Sequence, residues 1–569
     1  MAESPTRRIH LLYLAVFLAS AVLLTRLFFI QIVQGAYYAD KADRQYQRPV
    51  ANVYDRGSVF FQKKDGQLVS AATMQNGFLV AINPQILAEP AAAYAKLNII
   101  TPIDEVSFMA KAAKTADPYE EVATKLDEAA ADKVERLKIP GVIVGKMRWR
   151  VYPAARLASH VVGFMGYVGN DFSGRYGLEK YYNEQLKREN SPSFVSFLST
   201  IFSELGRSVS GKPTDNEADL VTTIEPTVEQ TLEATLEKVK TDYVADLAGG
   251  IILDPQTGAV VAMAALPDFD PGEKQSDVTV LTNPIVERVY EMGSIMKPLT
   301  MAAALDVGAV TASTTYYDEG ALTFNNKTIR NFDRKGHGTV SMQEVLNQSI
   351  NTGAVFAMQQ LGIPRFKKYL AAYGLGRKTG IDLPDEATGL IKNVLDSPRE
   401  IEPATAAFGQ GISVSPIEMA TALASLANGG QLIKPHVVAR FARRGANLSS
   451  EIKPEVIGTT ITPAASRKIT EMLVRVVDEA LADGKIKQEH YNVAAKTGTA
   501  QIPAPGGGYY EDRFLHSFFG YFPAYQARFL IFLYLVNPHG VRFASETLTR
   551  PFSDLTKFLI NYYNVPPDR

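Results

Sequence analysis

The placement of the β-prone runs constrains this chain most. Gly250-Ile-Ile-Leu253 and Ala259-Val-Val-Ala-Met263 flank the turn Asp254-Pro-Gln-Thr-Gly258, which predicts a β-hairpin. Three more runs, Val493–Gln501, Ser517–Tyr521 and Arg528–Val536, come only near the C-terminus. Between them, from Gly293 to about Gly430, the pattern is mostly helical with Gly and Pro breaks. Strands at both ends with helices between predict one α/β (α+β) domain whose terminal segments share a sheet. A helix over Thr227–Lys240, apolar at Val228, Leu232, Leu236 and Val239, precedes it, and an amphipathic helix over Phe552–Tyr563 closes it.

The N-terminus adds a second constraint. Arg7 and Arg8 precede a largely apolar run from Ile9 to about Val33. A helix of that length spans a hydrocarbon core of about 30 Å. The basic side faces the cytoplasm, so the bulk of the chain lies outside. A cleaved signal peptide is the competing reading, but the run is long for one and Gln31-Ile-Val-Gln34 follows where a small-residue cleavage site belongs. Arg26 near the outer end snorkels to the interface or meets a partner's membrane helix. The expected division is a cytoplasmic tail (1–10), a transmembrane helix (11–33), an N-terminal pedestal (34–219) and a larger domain (220–569). Gln34–Asp43 reads as a polar helix, Gly77–Ile82 as a strand, Tyr119–Leu137 as a helix, and Ser210–Pro213 with Asp215–Asp219 as a linker.

Several function classes fall away. The net charge of −1 creates no field for nucleic acid. The chain has no cysteine, which removes disulfides, thiolate zinc sites and cysteine nucleophiles. No two of the seven histidines lie three to five residues apart, so a histidine metal pair is not expected. Neither metal nor cofactor is expected.

Three short motifs carry chemistry. In Ser294-Ile-Met-Lys297 the serine and lysine share one helix face, and Pro298 suits a first turn, so a helix should start at about Ser294. There the backbone N–H groups favour developing negative charge, and a lysine of lowered pKa can take the hydroxyl proton. Ser349-Ile-Asn351 falls between helical stretches at Ser341–Gln348 and Thr352–Leu361. Its hydroxyl can relay a proton and its amide can hold a carbonyl or the lysine, although alone it reads more readily as a helix cap. Lys496-Thr497-Gly498-Thr499 lies in a strand-like run. Gly498 permits a close backbone approach, Lys496 supplies charge for a carboxylate, and a backbone N–H can join that of Ser294 in an oxyanion hole. Two of the three have duplicates, Ser450-Glu-Ile-Lys453 and Lys378-Thr-Gly380, both in turn-rich or polar stretches read as structural. The ordered conjunction of all three in one domain carries the weight.

With these motifs in place, the sequence resembles the penicillin-binding proteins and serine β-lactamases. Tyr290–Lys297, Ala407–Pro416 with Leu426–Gly430, Lys496–Ala500 and His516–Pro523 are similar to successive family segments. Arg56-Gly57, Arg150–Pro153, His160–Gly163 and Tyr176–Glu179 are similar to the pedestal motifs of the class B, monofunctional type. Within it, Asp382–Glu386 and the ending Asn564–Asp568 resemble the cell-division transpeptidase more than the elongation one. Met292, Ile350, Gln62 and Glu225 depart from the usual pattern without removing a reacting group.

The resemblance implies a transpeptidase fold with an antiparallel sheet and a helical subdomain. It implies a peptidoglycan D,D-transpeptidase acting through a Ser294 acyl-enzyme. Lys297, Ser349, Asn351 and Thr499 would assist, and Lys496, Thr497, Gly498 and Thr499 would hold the donor's carboxylate. β-Lactams would acylate Ser294. Further implied partners are membrane lipid, a SEDS-type glycosyltransferase and other division proteins, at the cytoplasmic membrane with the catalytic domain outside. A β-lactamase, a D,D-carboxypeptidase and a non-enzymatic sensor or scaffold are the rival readings.

Overall fold

A computed structural model describes residues 55–168, 171–188, 217–324, 327–442 and 449–569. The expected anchor at 11–33, the Gln34–Asp43 helix and the Ser210–Pro213 linker lie outside the described residues. No helix among the described residues is long and apolar enough to cross a membrane.

The described chain forms two compact units. One contains Gln75–Trp149; the other contains Arg56–Met74, Arg150–Lys187 and the chain from 217 to Arg569. In the first, Phe78–Ile82 pairs antiparallel with Glu120–Leu126. The helix Glu128–Arg136 is capped by Asp127, whose side chain accepts from the Ala130 N–H. The expected single helix over Tyr119–Leu137 is therefore a strand followed by a helix. Its first half, Glu120–Leu126, pairs polar and apolar residues in twos, a spacing that reads as a helical face although the segment is a strand, and Asp127 is the stop between the two elements.

In the second unit the predicted shared sheet is present. Leu247–Leu253 and Val260–Leu266 pair as a hairpin. Phe529–Val536 pairs with Leu247–Leu253, Tyr509–Phe522 with Phe529–Val536, and Ala494–Pro503 with Tyr509–Phe522, all antiparallel. This leaves Ala494–Pro503, which carries Lys496 to Thr499, on one edge of the sheet. The helix Pro226–Asp242 packs on the hairpin; its cap is Glu225, which accepts from the Val228 N–H and from the Tyr562 hydroxyl. Glu225, one of the departures from the resembled pattern, thus still serves as a cap. The C-terminal helix Thr549–Tyr563 buries Phe552, stacked on Phe518 at a centroid distance of 4.5 Å. Cutting that ring back to alanine costs about 3–5 kcal/mol.

The helix Lys297–Asp306 is buried from Lys297 to Leu305, so it runs through the core of the unit. An apolar helix with no solvent face is stable only in such a place. The region expected to be mostly helical also holds two small antiparallel pairs: Thr315–Asp318 with Gly338–Ser341, and Ala321–Phe324 with Lys327–Arg330.

The N-terminal motifs of the second unit converge on one buried cluster. Arg56 and Arg150 donate to the two carboxylate oxygens of Glu179 at 2.6 and 2.7 Å. Arg150 also donates to the Gly57 carbonyl at 2.7 Å. Three charged side chains almost without solvent contact are tolerable only because each faces an opposite charge.

Candidate active site

The serine turn is built by close backbone packing. Gly293–Met296 forms a 3₁₀ turn that leads into the helix Lys297–Asp306, so the helix starts three residues later than the sequence predicts. Gly293 has φ +64°, and a Cβ there would lie 2.7 Å from the Thr499 carbonyl oxygen. A Cβ on Gly498 would lie 2.7 Å from the Met292 carbonyl oxygen and 3.0 Å from the Ile295 nitrogen. Both glycines are therefore required for the serine turn to touch the sheet edge. Ser517 fastens the contact by donating to the Met292 carbonyl at 2.8 Å. The Thr499 hydroxyl accepts from the Ala544 N–H at 3.0 Å.

Lys297 and Lys496 meet on Ser349. Lys297 Nζ donates to the Ser349 carbonyl and, at 3.1 Å, to its hydroxyl. Lys496 Nζ donates to the same hydroxyl at 3.0 Å and to the Thr497 carbonyl at 3.1 Å. Both lysines are nearly free of solvent contact. Burial pushes Lys297 well below the usual lysine value, helped by the charge of Lys496. Burial alone pulls Lys496 down to about 7. Neither has a carboxylate partner to offset the desolvation. Ser349 itself has φ +57°, a left-handed conformation costing roughly 1–3 kcal/mol for a residue with a side chain.

Ser294, Ser349, Asn351, Lys496, Thr497 and Thr499 all line one cleft of about 1110 Å³. Its walls carry charges of both signs, Lys327, Arg330, Arg334 and Arg542 beside Asp333, Glu402, Asp483 and Glu546. The arrangement offers a hydroxyl on a helix-start turn, a buried amine of lowered pKa in the following turn, and a charged strand edge. That set suits acyl transfer through a serine ester.

Residues 248–556 match the family model of the penicillin binding protein transpeptidase domain, and residues 55–200 match that of the penicillin-binding protein dimerisation domain. The chain belongs to the class B penicillin-binding proteins. Stage V sporulation protein D of Bacillus subtilis is 30% identical over 567 residues, covering 96% of this chain and 84% of that one. The peptidoglycan D,D-transpeptidase FtsI homolog of Mesostigma viride is 26% identical, covering 98% and 96%. The peptidoglycan D,D-transpeptidase MrdA of Escherichia coli K12 is 23% identical, covering 87% and 84%. Among solved structures, penicillin-binding protein 2X from Streptococcus thermophilus has a TM-score of 0.73 at 19% identity, covering 90% of this chain and 80% of that chain, which bears on the fold.

In this penicillin-binding protein the predicted residues do not all meet in the expected way. The hydrogen bonds of Lys297 go to Ser349, not to Ser294. Asn351 lies in the cleft, but its Nδ2 donates to the Arg330 carbonyl at 3.0 Å rather than holding Lys297. The cap reading of Ser349 and Asn351 does not hold either, because the helix Asn351–Leu361 begins after Ile350 with no side-chain cap of its own. Its first N–H groups bond instead to Asn331 Oδ1, at 3.1 Å from Asn351 and 3.2 Å from Thr352. Nothing in the local spacing pointed to Asn331. Of the two duplicates, Thr379 is held by Glu386 through its N–H and its hydroxyl, as a structural role predicts, whereas Ser450, expected in a surface loop, lies in the short strand Ser449–Glu451.

Proposed function

We propose that this protein is a peptidoglycan D,D-transpeptidase whose nucleophile is Ser294. The observation that carries the reading is the pair of desolvated lysines held on Ser349 in the cleft that Ser294 lines. Ser294 Oγ attacks the carbonyl of the penultimate D-Ala of a donor stem peptide, and its proton passes to neutral Lys297 Nζ, with Ser349 as the relay between the two lysines. Backbone N–H groups of Ser294 and Thr499 stabilise the oxyanion. The C–N bond breaks, the leaving amine takes the proton, and terminal D-Ala departs. An amine of a neighbouring stem then attacks the ester, forms the cross-link and returns Ser294 to its hydroxyl form. Lys496 as an ammonium, with Thr497 and Thr499, binds the donor carboxylate, and Gly498 leaves room for the donor backbone along the strand edge. Asn351 faces the same cleft and would orient the donor's amide. β-Lactams would enter as donor mimics.

In the same reading the chain is a single-pass protein of the cytoplasmic membrane, anchored by residues 11–33, with its catalytic domain outside. The tether would raise the effective concentration of the site at nascent wall. The likeness of Asp382–Glu386 and of the C-terminal segment to the division type favours septal synthesis, beside a SEDS-type glycosyltransferase. Depletion would then yield filaments, and uniformly rounded cells would count against the septal role.

Incubation with benzylpenicillin, intact mass and peptide mapping test the reaction. The expected result is one slowly released adduct on the peptide that contains Ser294, absent in Ser294→Ala. Rapid turnover without an adduct would instead mark a hydrolase.

A further inference from the structure

The Ser349-Ile350-Asn351 turn is strained and lies at the centre of the site, yet no side chain within it caps the helix it opens. What holds it comes from the two small strand pairs that the sequence pattern hides. Asn331 follows the strand Lys327–Arg330 and is buried. Its Oδ1 accepts from the Asn351 N–H and the Thr352 N–H, and the Thr352 hydroxyl oxygen lies 3.1 Å away. Its Nδ2 donates to Asp318 at 2.8 Å and to the Lys335 carbonyl at 3.0 Å. Asp318, at the end of the strand Thr315–Asp318, is likewise buried.

The Asp318 carboxylate accepts five bonds. Oδ1 takes the Thr352 hydroxyl at 2.6 Å and the Gly320 N–H at 2.9 Å. Oδ2 takes Asn331 Nδ2, the His337 N–H at 3.1 Å and His337 Nδ1 at 2.7 Å. Donors on every side hold its carboxyl below the usual range despite the burial. The Gly320 N–H on the Oδ1 side, and Asn331 Nδ2 with the His337 N–H on the Oδ2 side, can only donate, so an amide in place of the carboxylate would turn an N–H toward one of them whichever way it faced. Asp318 thereby fixes which way the Asn331 amide points, and Asn331 fixes where the helix Asn351–Leu361 begins.

We propose that Asp318 and Asn331 are positioning residues for acyl transfer. They cap that helix from outside and so hold the Ser349 hydroxyl and carbonyl under Lys297 and Lys496. The proposal rests on the reading of Ser294 as nucleophile. Neither residue touches the reacting groups. Neither bonds Lys297 or Lys496, whose amines reach Ser349 and Thr497. The effect is therefore geometric, and a displacement of about 1 Å in such a site costs on the order of 100-fold in rate.

The test separates the acylation rate constant from non-covalent affinity, using benzylpenicillin and the whole chain. Asn331→Ala and Asp318→Asn are expected to slow acylation by about 10- to 100-fold with affinity changed by less than about 3-fold. Thr352→Val removes the hydroxyl that bonds Asp318 and abuts Asn331 and is expected to slow acylation about 10-fold, whereas Thr352→Ser keeps it and stays within about 2-fold. Leu236→Ala, in the distant helix Pro226–Asp242, lowers the melting temperature by opening a core cavity and is expected to leave acylation of the folded protein unchanged. Wild-type acylation in folded Asn331→Ala, or an equal loss in Leu236→Ala, overturns the proposal. If the wild-type chain itself gives no Ser294 adduct, the nucleophile reading fails instead, and intact mass tells the two failures apart.

Discussion

Two clusters of buried cations in the same unit meet opposite fates. Arg56 and Arg150 share the Glu179 carboxylate, whereas Lys297 and Lys496 share the Ser349 hydroxyl. In the first cluster the desolvation of two guanidinium groups is offset by a full negative charge between them and by carbonyl acceptors. In the second the shared group is neutral and only the Ser349 and Thr497 carbonyls add acceptors, so without a counter-charge burial favours loss of the proton. Arginine does not lose its proton at any ordinary pH, but lysine does. The residue types match the tasks. Arginine with a carboxylate makes a fixed joint, and lysine with a hydroxyl makes an amine whose proton burial has loosened.

Replacing Lys297 with methionine breaks this contrast most severely. General-base assistance accounts for up to about 10⁴-fold, or about 5 kcal/mol of barrier. Lys297→Met is expected to lose acylation by that order while its melting temperature holds or rises, because an unbalanced buried amine is removed. Acylation kinetics and a thermal melt of the same sample check both halves. A wild-type rate would sink Lys297 as the base.

The mirror experiment is Glu179→Ala. It strands two guanidinium groups in the core and is expected to cost about 3–5 kcal/mol of stability. The fraction that remains folded should be acylated at the wild-type rate. Urea unfolding and an acylation time course distinguish this from a catalytic effect.

The third experiment exploits the titration of Lys496. With a folded value of about 7 against an ordinary 10.5, the folded protein has lost a proton that the unfolded chain keeps between those limits. Stability therefore rises with pH through that window and falls as pH drops from about 10.5 toward about 7. Activity runs the other way, because the ammonium is the form that binds a carboxylate. Above pH 7 the second-order acylation rate should fall by about 10-fold per pH unit. Lys496→Arg cannot lose its proton, so this alkaline limb should vanish. A limb unchanged in Lys496→Arg would assign it to another group.

The contrast also explains what could be read from the linear chain. Ser294, Lys297 and Lys496 to Thr499 are legible because helix and strand geometry set their spacing, and the sheet that joins the chain's two ends follows from where the β-prone runs fall. Arg56, Arg150 and Glu179 were visible only as family-like segments, since nothing local tells a buried arginine from an exposed one. Asp318 and Asn331 were invisible. They sit in short strand pairs where no long periodic signal develops, and their partners on the helix Asn351–Leu361 are reached only through the fold. A helix capped by a distant residue has no sequence signature, whereas a local cap such as Ser415 with Glu418 does.

The smallest effect isolates the backbone of Ser349. Ser349→Ala and Ser349→Gly both remove the hydroxyl that the two lysines share, so acylation should fall alike in each. They differ in what φ +57° demands, because a methyl group keeps the left-handed conformation costly while glycine adopts it freely. Part of that gain is returned through the greater freedom of glycine in the unfolded chain. Ser349→Gly is therefore expected to be more stable than Ser349→Ala by about 1 kcal/mol, read from paired urea midpoints. Equal stabilities would mean that the turn relaxes once the hydroxyl is gone, and that the lysines' hold on Ser349 imposes the strained geometry.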